Sequence, residues 1–465
     1  MTYRQKKRAT LTSIIIGVFG LYILITPTAT AMDLDLSDFI EPLLKPIKRL
    51  PPPSPELNDI TIDYGTVYIA YTIDTESRVI DTSVYEQTLG LQDYEPGATV
   101  DQLLQPTFRN QYHDSFGDPV VFSWFLLTQQ IQCASTAHDC SLIHAAMQRY
   151  KERAYSLGDM YGWHYHHMDW TDINHDGIHF WNQLKTFNGT VYGNGSDVQT
   201  AERMIAQLIL DKGVYPGAFR TGWTWQNNQL SVWLDDITPF DFSNISPQKT
   251  DTGDPPPPPG SAAVIEPTYN IFDWSRASQE WTFYHPWSAD YQRFGNLKRY
   301  EFRSYNSDLE WEKAFQAAQQ GYDQLVVTYS HSYNQLSLYE SYLDKIEALG
   351  EKYPNVKFKF VTAEEGARRM ISNKNYDGIS PTVVATQSQN LATVNVDEPL
   401  FTFPYGALFI NGDYQRIFPT QTNPVMTDDG HQEWTFDLSS FTEGQFRIGG
   451  IDPSGNWFVT PTFYL

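Results

Sequence analysis

The chain has 465 residues, with 32 Lys+Arg against 55 Asp+Glu and a net charge of −23. That excess of acid excludes nucleic acid and other polyanions as partners, because phosphate contacts need clustered cations. Its 13 Trp, 29 Tyr and 27 Phe offer ring faces that suit the apolar C–H faces of sugars, although a large core uses aromatics as well.

At the N-terminus, Arg4, Lys6, Lys7 and Arg8 precede an apolar run from Ile14 to Ile25, and Ala29-Thr30-Ala31 offers a small-residue cleavage site. This pattern predicts a signal peptide over residues 1–31 and an exported protein, periplasmic or extracellular, with no stable membrane span after cleavage. Removing those residues takes away four basic groups and no acidic one, leaving 28 Lys+Arg against 55 Asp+Glu, a charge of −27. Residues 32–58 carry Pro46 and Pro51-Pro52-Pro53 and read as a stiff tether.

The first strong strand is TVYIAYTIDTES, which closes on Asp74 and Glu76. Alternate residues of an extended chain share a face, so these carboxylates can divide labour, one binding a cation and the other removing a proton. Cys133 and Cys140 follow; in an exported chain at that spacing they predict a local disulfide. Next comes GWHYHH, with His164, His166 and His167. In an extended segment His164 and His166 point together, whereas a helical turn would pair His164 with His167. Two imidazoles beside one carboxylate, with a position left for water, make a catalytic metal arrangement. In DWTDINHDG, Asp172, Asn174 and Asp176 match the opening of a calcium loop, but Gln183 stands at the twelfth position.

Ser196 and Gln199 form a capping box for a helix to about Lys212, stopped by Gly213. GAFRTGW then brings Arg220, whose guanidinium can orient a carboxylate base, together with Gly222 for close backbone approach and Trp223 as a pocket wall. In PFDFS, Asp241 is a candidate to bind substrate or support the site from a later strand. A proline run, Pro255 to Pro259, marks a long insertion over 247–265. Ser307 with Glu310 starts another helix, and QLVVTYSH is a buried strand closing on His331, a proton donor suited to neutral pH. A helix from about Gln335 to Leu349, the strand VKFKFVTA and a helix over Glu364–Ser372 complete the pattern.

Strand–helix alternation predicts an α/β domain with a parallel sheet over residues 59–380, and the polar motifs fall where α/β barrels carry their working residues, at C-terminal strand ends. From residue 381 short alternating runs separated by Asp, Gly and Asn turns predict a small β-sandwich over 381–465, Ig-like or carbohydrate-binding-like.

Taken in order, TIDTES, GWHYHH, FRTGW, PFDFS and VVTYSH resemble the motifs of the polysaccharide deacetylase family of carbohydrate esterases, over roughly Ile60 to Ser372. The first two are variants: Thr75 separates the acids, and the histidine spacing is not the usual one. The resemblance implies a distorted α/β barrel and a metal-dependent enzyme that removes acetyl groups from a polysaccharide. It implies a divalent ion, zinc first, held by Glu76, His164 and His166, with His167 as the alternative ligand. Asp74, oriented by Arg220, would then be the base, and His331 the acid. Two other readings stay open: a glycoside hydrolase using the paired acids, and a polysaccharide-binding protein without activity.

Overall fold

In a computed structural model of the chain, which describes residues 63–76, 78–79, 89–128, 142–171, 180–183, 190–191, 195–253, 269–371 and 379–465, nine strands build one curled sheet. The predicted leader, tether, cysteine pair, calcium loop (Asp172, Asn174, Asp176) and the proline run of the insertion lie outside the described residues. The strands are β1 (Thr66–Thr75), β2 (Phe122–Thr128), β3 (Met160–Tyr165), β4 (Ala218–Thr221), β5 (Phe240–Asn244), β6 (Phe283–Tyr284), β7 (Tyr300–Arg303), β8 (Gln324–His331) and β9 (Lys357–Phe360). Their order is β6-β7-β5-β4-β3-β2-β1-β8, with β9 paired to the N-terminal half of β1. Every pairing is parallel except β6 against β7. This is a half-barrel, and its curl brings Ser304, just past β7, into an isolated parallel bridge with Val327 of β8.

The period of two along each strand explains both faces. In β1, Val67, Ile69, Tyr71 and Ile73 pack outward with the helices Asp308–Ala318 (α2) and Leu336–Lys352 (α3). Ala70 turns inward to Phe125, Phe242, Leu325 and Val327. In β3, Trp163 and Tyr165 pack outward against the helix Asp197–Gln207 (α1), leaving His164 on the inner face. The predicted stop at Gly213 holds: a final π-turn over Leu208–Lys212 ends with Gly213 in the left-handed conformation, φ 63°. Ser307 caps α2 by position only, since its side chain makes no capping bond. Thr362 does cap the helix Ala363–Met370 (α4), accepting from the Glu365 N–H.

Beyond residue 379 the strands are antiparallel and fall into two sheets. One holds Val383–Ser388, Leu391–Val396, Val425–Met426 and Gln432–Asp437; the other holds Tyr405–Ile410, Asp413–Ile417, Gln445–Ile451, Trp457–Val459 and Phe463–Tyr464. Val394, Trp434 and Phe436 of the first meet Leu408, Phe446 and Ile448 of the second in one core. The far face of the second sheet is equally occupied: Tyr405, Ala407 and Ile451 share a core with Met204, Ile205 and Ile209. Polar contacts frame this seam, with Tyr405 donating to the Glu202 carbonyl at 2.7 Å and Arg203 paired to Asp413 at 2.9 Å. Residues Ile62–Leu465 accordingly form one compact unit. Among the described residues no helix is long and apolar enough to cross a membrane.

Candidate metal centre

Parallel strands deliver their C-terminal ends to one edge of the sheet, and the register there is specific. Asp74 stands opposite His331 on β1 and β8, and Arg220 stands opposite His164 on β4 and β3. Because β3 is extended up to Tyr165, His164 and His166 fall on one side and His167 on the other. His167 stacks on Trp225, ring centroids 4.2 Å apart. Of the histidine pairs that the sequence left open, the extended one is therefore formed.

His164 and His166 meet Glu76, and the three could hold a divalent ion. His164 Nδ1 lies 2.9 Å from the Arg220 carbonyl. A carbonyl only accepts, so Nδ1 carries a hydrogen, and in the neutral ring the lone pair is then at Nε2. That Nε2 is 3.0 Å from His166 Nε2 and 3.8 Å from Glu76 Oε1, and His166 Nε2 is 3.2 Å from the same oxygen. Three such atoms converge on either a shared proton or a shared cation. A point equidistant from them lies about 2 Å from each, the length of a zinc bond to imidazole or carboxylate. His166 Nδ1 is buried and has no hydrogen-bond partner. The donor set and its spacing thus fit a divalent metal.

Electrostatics point the same way. Burial pushes the Glu76 carboxyl up, but the imidazoles of His164 and His166 outweigh it and hold the group well below the usual carboxylate range. Burial lowers the His166 pKa and the Glu76 carboxylate only partly opposes this. Both shifts favour the forms that ligate, carboxylate and neutral imidazole. The Glu76 side chain is 20% exposed and that of His331 29% exposed, whereas the His164 and His166 imidazoles are buried, so the open side is where the carboxylate and His331 stand.

Asp74 is buried beside this group. Arg220 Nε approaches Asp74 Oδ2 at 3.4 Å, while Arg220 Nη1 donates to Thr72 Oγ1 at 2.6 Å and the guanidinium lies over the Tyr329 ring at 4.4 Å. Asp74 Oδ1 has no hydrogen-bond partner. His331 Nε2 is 3.8 Å from Glu76 Oε1, its ring stacks on Tyr333, and its backbone is fixed by Asn334 and Tyr339.

Gly222 takes part through its missing side chain. A Cβ there would stand 2.2 Å from His166 Cδ2, so only glycine lets the imidazole lie against this turn. Trp223 adopts φ 46° and sets its ring 4.9 Å from that of His166, edge to face.

Asp241 requires a correction. Phe219 of β4 pairs with Asp241 of β5, and both point away from the face that carries Arg220. Asp241 is fully buried against Arg299, 3.1 Å away, which also holds Glu301 at 2.7 Å. It cannot line a substrate pocket. Its link to the site is indirect: Ser243 Oγ donates to Asp241 and accepts from the Thr221 N–H, at the end of the strand that carries Arg220.

Three residues escaped the sequence reading. Ser332 Oγ accepts from the Glu76 N–H at 3.0 Å, and the Tyr94 hydroxyl donates to the Glu76 carbonyl at 2.8 Å, so the two pin the carboxylate's backbone. Tyr329 forms the floor beneath Arg220. Nothing local marks Tyr94; Ser332 and Tyr329 flank the strand end at His331, and that position was the one available signal. No family model matches the chain, and no curated protein matches it.

Proposed function

We propose that this protein is a metal-dependent hydrolase that removes acetyl groups from a polysaccharide. The observation that carries the reading is the Glu76–His164–His166 group, two imidazoles and a carboxylate spaced for one divalent ion, with a second buried carboxylate beside it. Imidazole with carboxylate favours zinc among common divalent ions. When bound, such an ion lowers the pKa of water and polarises an acetyl carbonyl.

The chain's own residues have separable tasks. Glu76, His164 and His166 hold the ion, and the Arg220 carbonyl fixes the tautomer that leaves His164 Nε2 free to do so. Asp74 takes a proton at Oδ1, the oxygen that Arg220 does not approach. His331, partly exposed across Glu76, returns a proton to the departing sugar nitrogen or oxygen. Trp223, half-buried at His166, offers a ring face to a sugar.

The test pairs metal content with product. Purified wild type should carry close to one divalent ion and release acetate from acetylated polysaccharide without shortening it, and a chelator should abolish release. A His164→Ala/His166→Ala variant should lose both metal and acetate release. Equal metal in the two proteins, or chain shortening by the wild type, would overturn the reading.

A further inference from the structure

The peptide group between Arg220 and Thr221 is held at both of its polar atoms, and one of them holds a member of the metal centre. Its carbonyl accepts from His164 Nδ1 at 2.9 Å. Its N–H donates to Ser243 Oγ at 3.0 Å. Strand pairing does not supply this second contact. β4 and β5 are in register only at Ala218–Phe240 and Phe219–Asp241, and the register of β5 against β7 shifts between Asp241 and Asn244. Irregular register of this kind re-aims a side chain, and here the Ser243 hydroxyl stands in for a ladder acceptor.

The hydrogen bonds continue from there in one direction. Ser243 Oγ accepts from Thr221, so its own hydrogen goes to Asp241 Oδ1, which also accepts from the Ser243 N–H at 3.0 Å. Asp241 Oδ2 is 3.1 Å from Arg299 Nη1, and Arg299 is itself fixed by the Ser231 carbonyl at 3.2 Å and the Ser231 hydroxyl at 2.6 Å. Every residue of this relay, from Arg299 to His164, is buried. Hydrogen bonds that all donate the same way polarise one another, the more so where water is excluded. From His164 onward each donor faces toward Asp241, so the carboxylate acts back through the peptide on the imidazole. The far nitrogen of that imidazole, Nε2, is the one that meets Glu76 and His166. A bond from Ser243 to the acid two residues before it is a local turn. The reach of the same hydroxyl to the neighbouring strand is what ties that turn to the site.

We propose that Asp241 and Ser243 are positioning residues for the metal centre, acting through the Arg220–Thr221 peptide to hold His164 in its Nδ1–H form and to strengthen Nε2 as a ligand. Ligating histidines commonly donate their other N–H to a carboxylate or a carbonyl, and loss of such partners weakens metal binding by about 10–100-fold. In this fold a peptide and a serine stand between the imidazole and its carboxylate. Resting on the metal site proposed above, this role concerns two residues that touch neither metal nor substrate.

Zinc competition against a chelator of known affinity, together with NMR of nitrogen-labelled imidazoles in the metal-free protein, tests it. Ser243→Ala breaks the relay at its middle. Ser304→Ala is the control, because it removes an equally buried hydroxyl, bonded to the Phe242 carbonyl, that has no link to His164. Ser243→Ala should bind zinc about tenfold more weakly, and its His164 Nδ1 proton should move upfield and exchange faster. Ser304→Ala should match wild type in both, and Ser243→Thr, which keeps the hydroxyl, should recover both. The proposal is overturned if Ser243→Ala binds zinc within about twofold of wild type, if its Nδ1 proton is unmoved, or if Ser304→Ala loses as much affinity. It is also overturned if wild-type His164 carries its hydrogen at Nε2, a result that needs no variant and decides the matter even where Ser243→Ala does not fold. A wild type that binds no zinc, with the Nδ1 proton still dependent on Ser243, would sink the metal reading and leave the hold on His164 standing.

Discussion

Gly222→Ala tests the metal centre without touching a ligand. The added methyl would sit 2.2 Å from His166 Cδ2, 2.3 Å from Cγ and 2.6 Å from Nδ1. Non-bonded carbons need roughly 3.5 Å, so ring or turn must move by more than about 1 Å. The ring has little room, since Trp223 closes one side and His164 faces Nε2 at 3.0 Å. Metal–ligand distances tolerate only about 0.2 Å, so a shift of that size removes His166 from the coordination sphere. Metal affinity should fall by about 100-fold, while overpacking costs folding about 1–3 kcal/mol, a small loss in a large unit. Competition titration with a chelator of known affinity reads the first quantity, and thermal melting with near-ultraviolet dichroism reads the second. A folded Gly222→Ala protein that binds metal within about threefold of wild type would refute the placement of His166 and the glycine argument together.

The other expectations follow from the same geometry. His167→Ala should keep full metal content, because that ring stacks on Trp225; metal loss there would reassign the ligands. Asp74→Asn should retain the ion and lower kcat by about 10²–10⁴-fold, as removal of a proton acceptor does, and metal analysis beside steady-state kinetics checks both halves. Burial raises the pKa of both Glu301 and Asp241 above their ordinary values of 4.5 and 3.8, against the opposing pull of Arg299. Raised carboxyl values give stability that is complete below the ordinary value and lost as pH rises through the folded one. Glu301→Gln removes one such group, so its melting temperature should decline less than wild type's between pH 5 and pH 8; parallel declines would contradict the buried pair. Ending the chain at residue 380 should give an insoluble or non-cooperative protein, because Met204, Ile205 and Ile209 lose Tyr405, Ala407 and Ile451 at about 1.5–3 kcal/mol per side chain re-exposed. A soluble, cooperatively melting fragment would show the seam to be dispensable.

Strand ends were legible because burial imposes a pattern of period two. Ile69-Ala70-Tyr71-Thr72-Ile73-Asp74 alternates outward apolar with inward small or polar residues, and the alternation alone sends Asp74 inward. Asp241 in PFDFS lies on a later strand, but that position alone does not say which face it takes. An acid in a strand faces one side or the other, and only pairing with Phe219 decides which. The His164–His166 pair depended on a smaller point, whether the chain stays extended past Trp163, which the outward packing of Trp163 and Tyr165 on α1 enforces.

From its sequence alone the chain already fixed the order of strands and helices, the carboxylates and imidazoles at strand ends, and the antiparallel character of its last 80 or so residues, since each follows from local periodicity and turn chemistry. Tertiary structure alone decided that Glu76 reaches two imidazoles some 90 residues away, that Gly222 must lack a side chain to admit one of them, and that the final sheets complete a core rather than stand apart. The physical reason is that contacts between distant segments depend on register and on the curl of a sheet, and neither leaves a mark on the residues between them.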